Sequence, residues 1–364
     1  MEGEPVASIC AEDMAHYQDL ARQYARKSIN PIFEGEHSDG DLSLLPEKLK
    51  TAFEIGIAAT PDESLSGCQY GIWGGATGET GLMPSLILLS TIAETCGGVA
   101  MCLHVQGLAT HLILQAKKKL PFTPVRAGLC LQEGLCPPFL GTILAPDHDA
   151  PASIATVAEQ KNSGFVINGS KSFVYSMKDP DAYVVFARVG EQWGCFLVGA
   201  REKGVARTDV GVRTGLRACV VEHVDFNHVD IPLDARIDNG DARELVVHAM
   251  SLNWAGMAAI AVGIARGAAT AARKYAAERY QGGAQIEEHP AIKMLIAGAE
   301  ASTVTAETSL LTLQDGDLKS WKNLKRSAAV KLSVMDLCAR AVTDCLQTFG
   351  GYGYMEDYGM EKRL

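Results

Sequence analysis

The residue types with the clearest chemical potential lie in the C-terminal third of the chain. A helical pattern rich in Ala and Leu ends near Phe349, and Gly350, Gly351 and Gly353 follow it directly. Glycine lets the backbone turn and approach a neighbouring group closely, so these positions predict contact with a ligand. Arg279 ends another helical pattern, and its planar guanidinium suits a diphosphate because it forms charge-assisted bidentate hydrogen bonds. An exposed arginine at a helix end is the commoner explanation when such a residue stands alone.

A second candidate group lies in the middle of the chain, in the segment Asn-Gly-Ser-Lys-Ser-Phe-Val-Tyr that ends at Tyr175. Residues two apart in a strand point to the same side, so Phe173 and Tyr175 would present an aromatic ring and a hydroxyl together. Such a pair suits a planar ligand, since the ring can flank its face while the hydroxyl reaches its edge. A plain hairpin, which also carries Asn-Gly and alternating aromatic residues, is the alternative explanation.

Three compositional zones would position these groups. Apolar residues recur at helical spacing from residue 12 to about 119, and they do so again over 242–346. Between 122 and 238 the pattern changes to short β-branched or alternating runs separated by Gly, Asn, Asp and Pro, which predicts antiparallel strands. This order indicates a β domain between two helical regions and argues against a doubly wound sheet. We therefore predict an α+β chain with an N-terminal helical domain (1–121), a middle antiparallel β domain (122–238) and a C-terminal four-helix-bundle-like domain (239–364).

Composition argues against several classes of partner and compartment. The 364 residues include 43 acidic and 33 basic side chains, a net charge of -10, with no basic block that would indicate nucleic-acid binding. Ten cysteines lack any CxxC pair, which is typical of reduced, buried thiols rather than of disulfides or a metal site. The acidic start does not resemble a secretory signal, and the most apolar window, 254–264, is too short to span a bilayer. We expect no nucleic-acid partner, no membrane anchor, no metal and a cytoplasmic location.

Several segments together resemble the acyl-CoA dehydrogenase family, and the resemblance covers nearly the whole chain. The terminal glycine run resembles the C-terminal signature of that family, and residues 168–175 resemble its Asn-Gly-x-Lys-x-(Trp/Phe)-Ile-Thr motif. Further matches are the segments 128–133, 215–217, 275–283 and 286–292. The resemblance implies the acyl-CoA dehydrogenase-like fold, with a β domain between helical domains, and FAD as the cofactor.

The same resemblance assigns residues to the cofactor. Arg279 would reach the diphosphate of an FAD molecule bound mainly by a neighbouring subunit, which implies a homo-oligomer, either a dimer or a tetramer. The residues assigned to FAD are Leu131, Gln132, Phe173, Tyr175, Arg279, His289, Ile292, Gln347, Gly350 and Gly351. The chain departs from the family at Tyr175, where threonine is usual, at Gly282, where phenylalanine is usual, and at Pro290, where glutamine is common.

The catalytic base of the family is a glutamate that abstracts the α-proton while hydride leaves Cβ for flavin N5. Most members carry it after the terminal signature, at a position that would lie beyond Leu364. A minority carry it at the position of Asn253, and asparagine cannot accept the proton. The resemblance makes His104, Asn253 and Trp254 substrate candidates, with a core histidine as the alternative for His104. Three explanations stay open: a longer natural C-terminus, a non-catalytic partner in a heteromer, or other flavin chemistry.

The resemblance therefore implies FAD-dependent α,β-dehydrogenation of an acyl-CoA or related thioester, with electrons passed to an electron-transferring flavoprotein. The alternative is a catalytically silent subunit of a heteromeric acyl-CoA dehydrogenase that binds FAD or a partner. Ordinary carboxylates elsewhere in the sequence, such as Glu222 or Glu244, are more often solvated than catalytic, and the identity of the base stays open.

Overall fold

The structure is a computed structural model, and it describes residues 11–32, 42–61, 71–74, 82–116, 119–131, 155–313 and 321–364. Over these residues the order is helices, then strands, then helices, as predicted. The helices are α1 (Ala11–Tyr24), α2 (Leu45–Glu54), α3 (Met83–Thr95), α4 (Gly97–Leu114), α5 (Arg243–Glu278), α6 (Pro290–Leu311) and α7 (Trp321–Thr348). The strands are β1 (Ala127–Cys130), β2 (Val157–Lys161), β3 (Gly164–Ser176), β4 (Ala182–Val189), β5 (Gln192–Gly199), β6 (Val205–Asp209), β7 (Val220–Pro232), β8 (Tyr280–Gln281) and β9 (Ala284–Gln285). The domain limits at 121 and 238 stay predictions.

Helices α3 and α4 lie at the centre of the core because their sequences are apolar on every side. Every side chain of α4 from Gly98 to Ile113 is buried. Among the described helices, α4 and α5 are long and apolar enough to cross a bilayer, yet 89% and 78% of their most apolar windows are buried inside the protein. Core helices of globular proteins commonly have this composition.

The strands between α4 and α5 form one seven-stranded sheet in the order β1-β4-β2-β3-β7-β6, with β5 paired to β4. Most pairs are antiparallel, as predicted. However, β1 runs parallel to β4, with Ala127 opposite Ala182, and β2 meets β4 in parallel at Val157. The sheet is therefore mixed, and β1 brings the end of the N-terminal helical region onto its edge.

Helix α5 connects the three regions because its small residues let other helices approach closely. Ala258, Ala265 and Ala272 are fully buried where α5 packs against α3 and α7.

Six of the seven cysteines in the described part of the chain are buried, and all seven are free. The prediction of buried thiols is therefore confirmed for those six.

Candidate functional site

A cavity of about 730 Å³ lies between the β sheet and helices α4, α5 and α7. Its volume falls within the roughly 300–1,000 Å³ range of small-molecule sites. Strand β3 contributes Phe173 and Tyr175 to its wall, α4 contributes Met101, and α5 contributes Met257 and Ile260. The two residues that strand periodicity predicts on one face therefore do line the same space.

Phe173 reaches the cavity from a distorted part of β3. The register between β3 and β7 shifts between Lys171 and Val174, and Phe173 has a φ of 53°. A bulge of this kind re-aims side chains, and a non-glycine residue in the left-handed region is strained. The Phe173 ring meets the His223 ring edge to face, with 5.5 Å between their centroids. Such strain clusters at ligand sites, so the bulge supports a binding role for Phe173.

The charged side chains that line the cavity are all basic within the part of the chain that the structure describes: Arg213, Lys362 and Arg363. Arg363 donates through Nη1 to the carbonyl oxygen of Glu94 at 3.1 Å. Arg213 differs, because its Nε and Nη1 atoms are buried and have no hydrogen-bond partner among the described residues. Arg213 as a whole is half-buried, but two buried N–H groups without an acceptor are unfavourable, and arginine cannot lose its proton. The cavity therefore suits an anionic ligand.

Tyr175 keeps a hydroxyl where the resemblance expects threonine. Burial raises the pKa of the Tyr175 hydroxyl above its ordinary value, and the positive charge of Arg213 partly opposes this shift. The hydroxyl is therefore protonated at neutral pH, and it can donate a hydrogen bond to a ligand in the cavity.

The second predicted group gathers at the far end of α5. The Arg279 guanidinium lies over the Tyr352 ring, 5.2 Å from its centroid. Tyr275 stacks on Phe349 at 4.3 Å between centroids, and this contact ties α5 to the turn that begins at Gly350. Gly350 has a φ of 58°, a conformation that glycine adopts readily. Nε of Arg279 is buried and has no hydrogen-bond partner among the described residues, so this end also suits an anion.

His289 forms a hydrogen bond with the β8–β9 hairpin beside this group. Its Nε2 donates to the carbonyl oxygen of Gln281 at 2.9 Å. Gly282 has a φ of 68°, and phenylalanine, usual here in the family, would be strained in this conformation. The other predicted residues are the half-buried Leu131 and Ile292, the exposed Gln347 and Gly351, and Gln132, which lies outside the described residues.

The two groups lie apart within one protomer. Ile264 lines the cavity, and Arg279 follows it by about four turns, roughly 22 Å along α5. The structure thus brings Phe173 to Tyr175 and Arg279 to the glycine turn, but it does not bring both groups into one cavity.

His104 is fully buried between α4 and α5, with both ring nitrogens engaged. Trp73 donates through Nε1 to Nδ1 of His104 at 2.8 Å, and Nε2 of His104 lies 3.0 Å from Oδ1 of Asn253. Since an indole only donates, Nδ1 is the unprotonated nitrogen and Nε2 carries the hydrogen. Trp254 is only 9% exposed and packs into the same core. Neither His104 nor Trp254 is among the described cavity-lining residues, so the core alternative describes His104 better than direct substrate contact.

Substitution of His104 is expected to make the protein less sensitive to acid. Burial lowers the pKa of His104 from 6.5 to about 4, and its hydrogen bond with Asn253 opposes this only in part. Between these two pKa values the unfolded chain binds more protons than the folded protein, so acid favours unfolding. The contribution of His104 to the free energy of unfolding is therefore fully present above about pH 6.5 and is lost as the pH is lowered toward 4. Urea unfolding at pH 7 and pH 4.5 should show wild type losing about 2.5 kcal/mol more than His104→Gln. Equal losses in the two proteins would contradict a buried neutral ring.

The sequence and the fold of this chain are both similar to those of known proteins. Residues 244–364 match the family model of the acyl-CoA dehydrogenase C-terminal domain. The short-chain-specific acyl-CoA dehydrogenase of Clostridium acetobutylicum is 25% identical over 360 residues, covering 95% of this chain and 90% of the relative. The cyclohex-1-ene-1-carbonyl-CoA dehydrogenase of Geobacter metallireducens is 26% identical over 368 residues, with 95% and 90% coverage. The structure of butyryl-CoA dehydrogenase from Megasphaera elsdenii superposes with a TM-score of 0.78 at 20% identity, covering 98% of this chain and 93% of that one, and shows the fold.

Proposed function

This chain is a member of the acyl-CoA dehydrogenase family, and from that premise we propose that it forms a Cα–Cβ double bond in an acyl-CoA thioester and passes the electrons to an electron-transferring flavoprotein. Members of the family are FAD-dependent oxidoreductases that act on the CH–CH group. The proposal rests on the cavity, because its lining combines the Phe173 ring, the Tyr175 hydroxyl and two buried Arg213 nitrogens without an acceptor among the described residues in one largely apolar space.

The residues present fit FAD. Orphaned buried nitrogens of Arg213 and Arg279 suit the negative charge of such a cofactor, and Phe173 with Tyr175 suits a planar ring with acceptors at its edge. When bound, FAD would supply the acceptor for the hydride that leaves Cβ. Apolar side chains such as Met257 would exclude water, which strengthens every polar interaction inside the cavity.

Dehydrogenation also removes a proton from Cα, and this step requires a base. The side chains that line the cavity favour a second candidate function in this respect. No carboxylate side chain lines the cavity within the described residues, and Asn253 cannot accept a proton. These residues therefore bind and orient a thioester without abstracting its proton. That arrangement is also expected of a catalytically silent subunit in a heteromeric acyl-CoA dehydrogenase, with a partner supplying the base.

An anaerobic bleaching experiment separates the two functions. Purified protein is loaded with FAD and mixed with acyl-CoA thioesters of graded length while the visible flavin absorbance is followed. Bleaching by an acyl-CoA alone, reversed by an electron-transferring flavoprotein, is the result expected of the dehydrogenase. Flavin that stays yellow until a second protein is added supports the silent subunit. Protein that takes up no FAD contradicts the dehydrogenase and favours a silent subunit that binds a partner instead of the cofactor.

We also propose that the protein is a homo-oligomer in which α6 packs against a second copy. Ala297, Ala301, Val304, Thr308 and Leu311 recur at helical spacing along α6, and all are exposed. An uncharged stripe of this length on a surface helix is typical of a protein interface. The resemblance assigns Arg279 to a cofactor bound mainly by a neighbouring subunit, and a second copy would supply that arginine. Sedimentation velocity tests the proposal, and a monomer at micromolar concentration would contradict it.

A further inference from the structure

Three hydrogen-bonded side chains lie beside the cavity, and their hydrogen bonds have a single possible direction. Trp73 donates to Nδ1 of His104, so Nε2 of His104 donates to Oδ1 of Asn253 at 3.0 Å. The opposite amide orientation of Asn253 would set two donors against each other. The amide oxygen therefore faces His104, and the Nδ2 group faces away from it.

The Nδ2 group of Asn253 is available as a donor. Within the part of the chain that the structure describes, the bond with His104 is the only hydrogen bond of the Asn253 side chain. Asn253 is half-buried, whereas Trp73 and His104 are fully buried. A half-buried donor without an acceptor among the described residues favours a ligand that brings one.

The amide lies next to one end of the cavity. Met257 follows Asn253 by one turn of α5, Met101 precedes His104 by about one turn of α4, and both methionines line the cavity. Residues one helical turn apart share a face, so Asn253 lies on the same side of α5 as Met257 and Ile260, one turn beyond the described residues that line the cavity. An acyl chain that extended past the two methionines along this face of α5 would approach the amide.

Close packing holds the amide in place. A side chain on Gly256 would overlap the His104 ring, which is therefore wedged against α5. The Trp73 and His104 rings meet edge to face, with 5.8 Å between their centroids. Because both partners are fixed, little conformational freedom is lost when the amide binds an oxygen atom.

We propose that Asn253 determines specificity by selecting thioesters whose acyl chain carries an oxygen acceptor, a hydroxyl or an oxo group, and that His104 is its positioning residue. This inference rests on the proposed function, because it assigns a substrate class to the same site. A saturated hydrocarbon chain would cover Nδ2 and leave it unpaired, whereas a hydroxyl or oxo oxygen satisfies it. A site that hydrogen-bonds a substrate group rejects the analogue that lacks it for this reason.

Isothermal titration calorimetry on the FAD-loaded protein tests the preference. Alkyl acyl-CoA thioesters are compared with oxo counterparts of equal length, for example hexanoyl-CoA with 5-oxohexanoyl-CoA, at several chain lengths. Wild type should bind the best oxo compound roughly three- to tenfold more tightly than its alkyl counterpart. Asn253→Leu should abolish the preference. Ser251→Ala is the matched control on α5, since the Ser251 hydroxyl bonds the Val247 carbonyl at 2.9 Å, and it should keep the preference.

Substitutions of His104 separate positioning from a general structural role. His104→Gln should keep the preference, because its amide can accept from Trp73 and donate to Asn253, whereas His104→Leu should lose it. Equal binding of alkyl and oxo thioesters by wild type, or a preference that survives Asn253→Leu, overturns the inference. Bleaching by alkyl-CoA in that case would leave the proposed function intact. If no thioester binds or bleaches the flavin, the proposed function fails together with the inference.

Discussion

Gly263→Ala is expected to lower the free energy of unfolding by about 3 kcal/mol or more, because α3 and α5 touch at this glycine. A Cβ there would overlap the carbonyl oxygen of Ser90 and crowd the side chain of Ala93. The obstacle is the backbone of a buried helix, which cannot rotate away as a flexible side chain can. Gly267, one turn further along α5, faces the carbonyl oxygen of Glu94 in the same way.

A matched glycine on α6 provides the control. At Gly298 the nearest atom to an added Cβ would be Oδ2 of Asp344 at 3.7 Å, which is an ordinary contact. Gly298→Ala should therefore stabilise the protein by about 0.5–1 kcal/mol, since alanine favours the helix. Urea unfolding of both variants at one pH measures the difference. Equal stability of Gly263→Ala and wild type would show that α3 and α5 do not pack through glycine.

The sequence predicted those parts of the site whose geometry is set by residues close to one another along the chain. Phe173 and Tyr175 line one cavity, as the two-residue period of a strand predicts, although the bulge at Phe173, which that pattern does not show, sets the direction of its ring. Arg279 and the turn at Gly350 meet because each lies at the end of a helix, and α5 and α7 pack side by side. The order of helices, strands and helices followed from changes of period in the same way.

The sequence did not predict the parts of the site that are formed by contacts between residues far apart along the chain. Trp73 lies in a glycine-rich segment whose pattern indicates only a loop, yet its indole fixes the tautomer of His104 from 31 residues away. His104 in turn orients Asn253, which is 149 residues further along the chain. No local pattern encodes such contacts. The lack of an acceptor for Nε and Nη1 of Arg213 among the described residues is equally invisible in sequence, since it depends on which side chains surround the segment between β6 and β7.

Arg213→Met is expected to weaken FAD binding between roughly 10- and 100-fold, the effect of losing a hydrogen bond or ion pair to a charged group. Nε and Nη1 of Arg213 are buried beside the cavity without an acceptor among the described residues. Methionine has a similar length and no charge, so it removes the interaction with little change in packing. Titration of the flavin-free protein with FAD, followed by flavin fluorescence, gives the dissociation constant. Arg213→Lys should restore part of the affinity, because it returns the charge without the planar fork.

Stability of the flavin-free protein distinguishes a ligand role for Arg213 from a structural one. Two buried N–H groups without acceptors destabilise the empty protein, so Arg213→Met should leave its free energy of unfolding unchanged or raise it. A structural arginine would instead lower stability when removed. Arg201→Met, at an exposed turn between β5 and β6, should change neither quantity. Weaker FAD binding combined with an equally or more stable empty protein would therefore mean that the positive charge is kept in the cavity for the cofactor. Unchanged FAD affinity would remove Arg213 from the site.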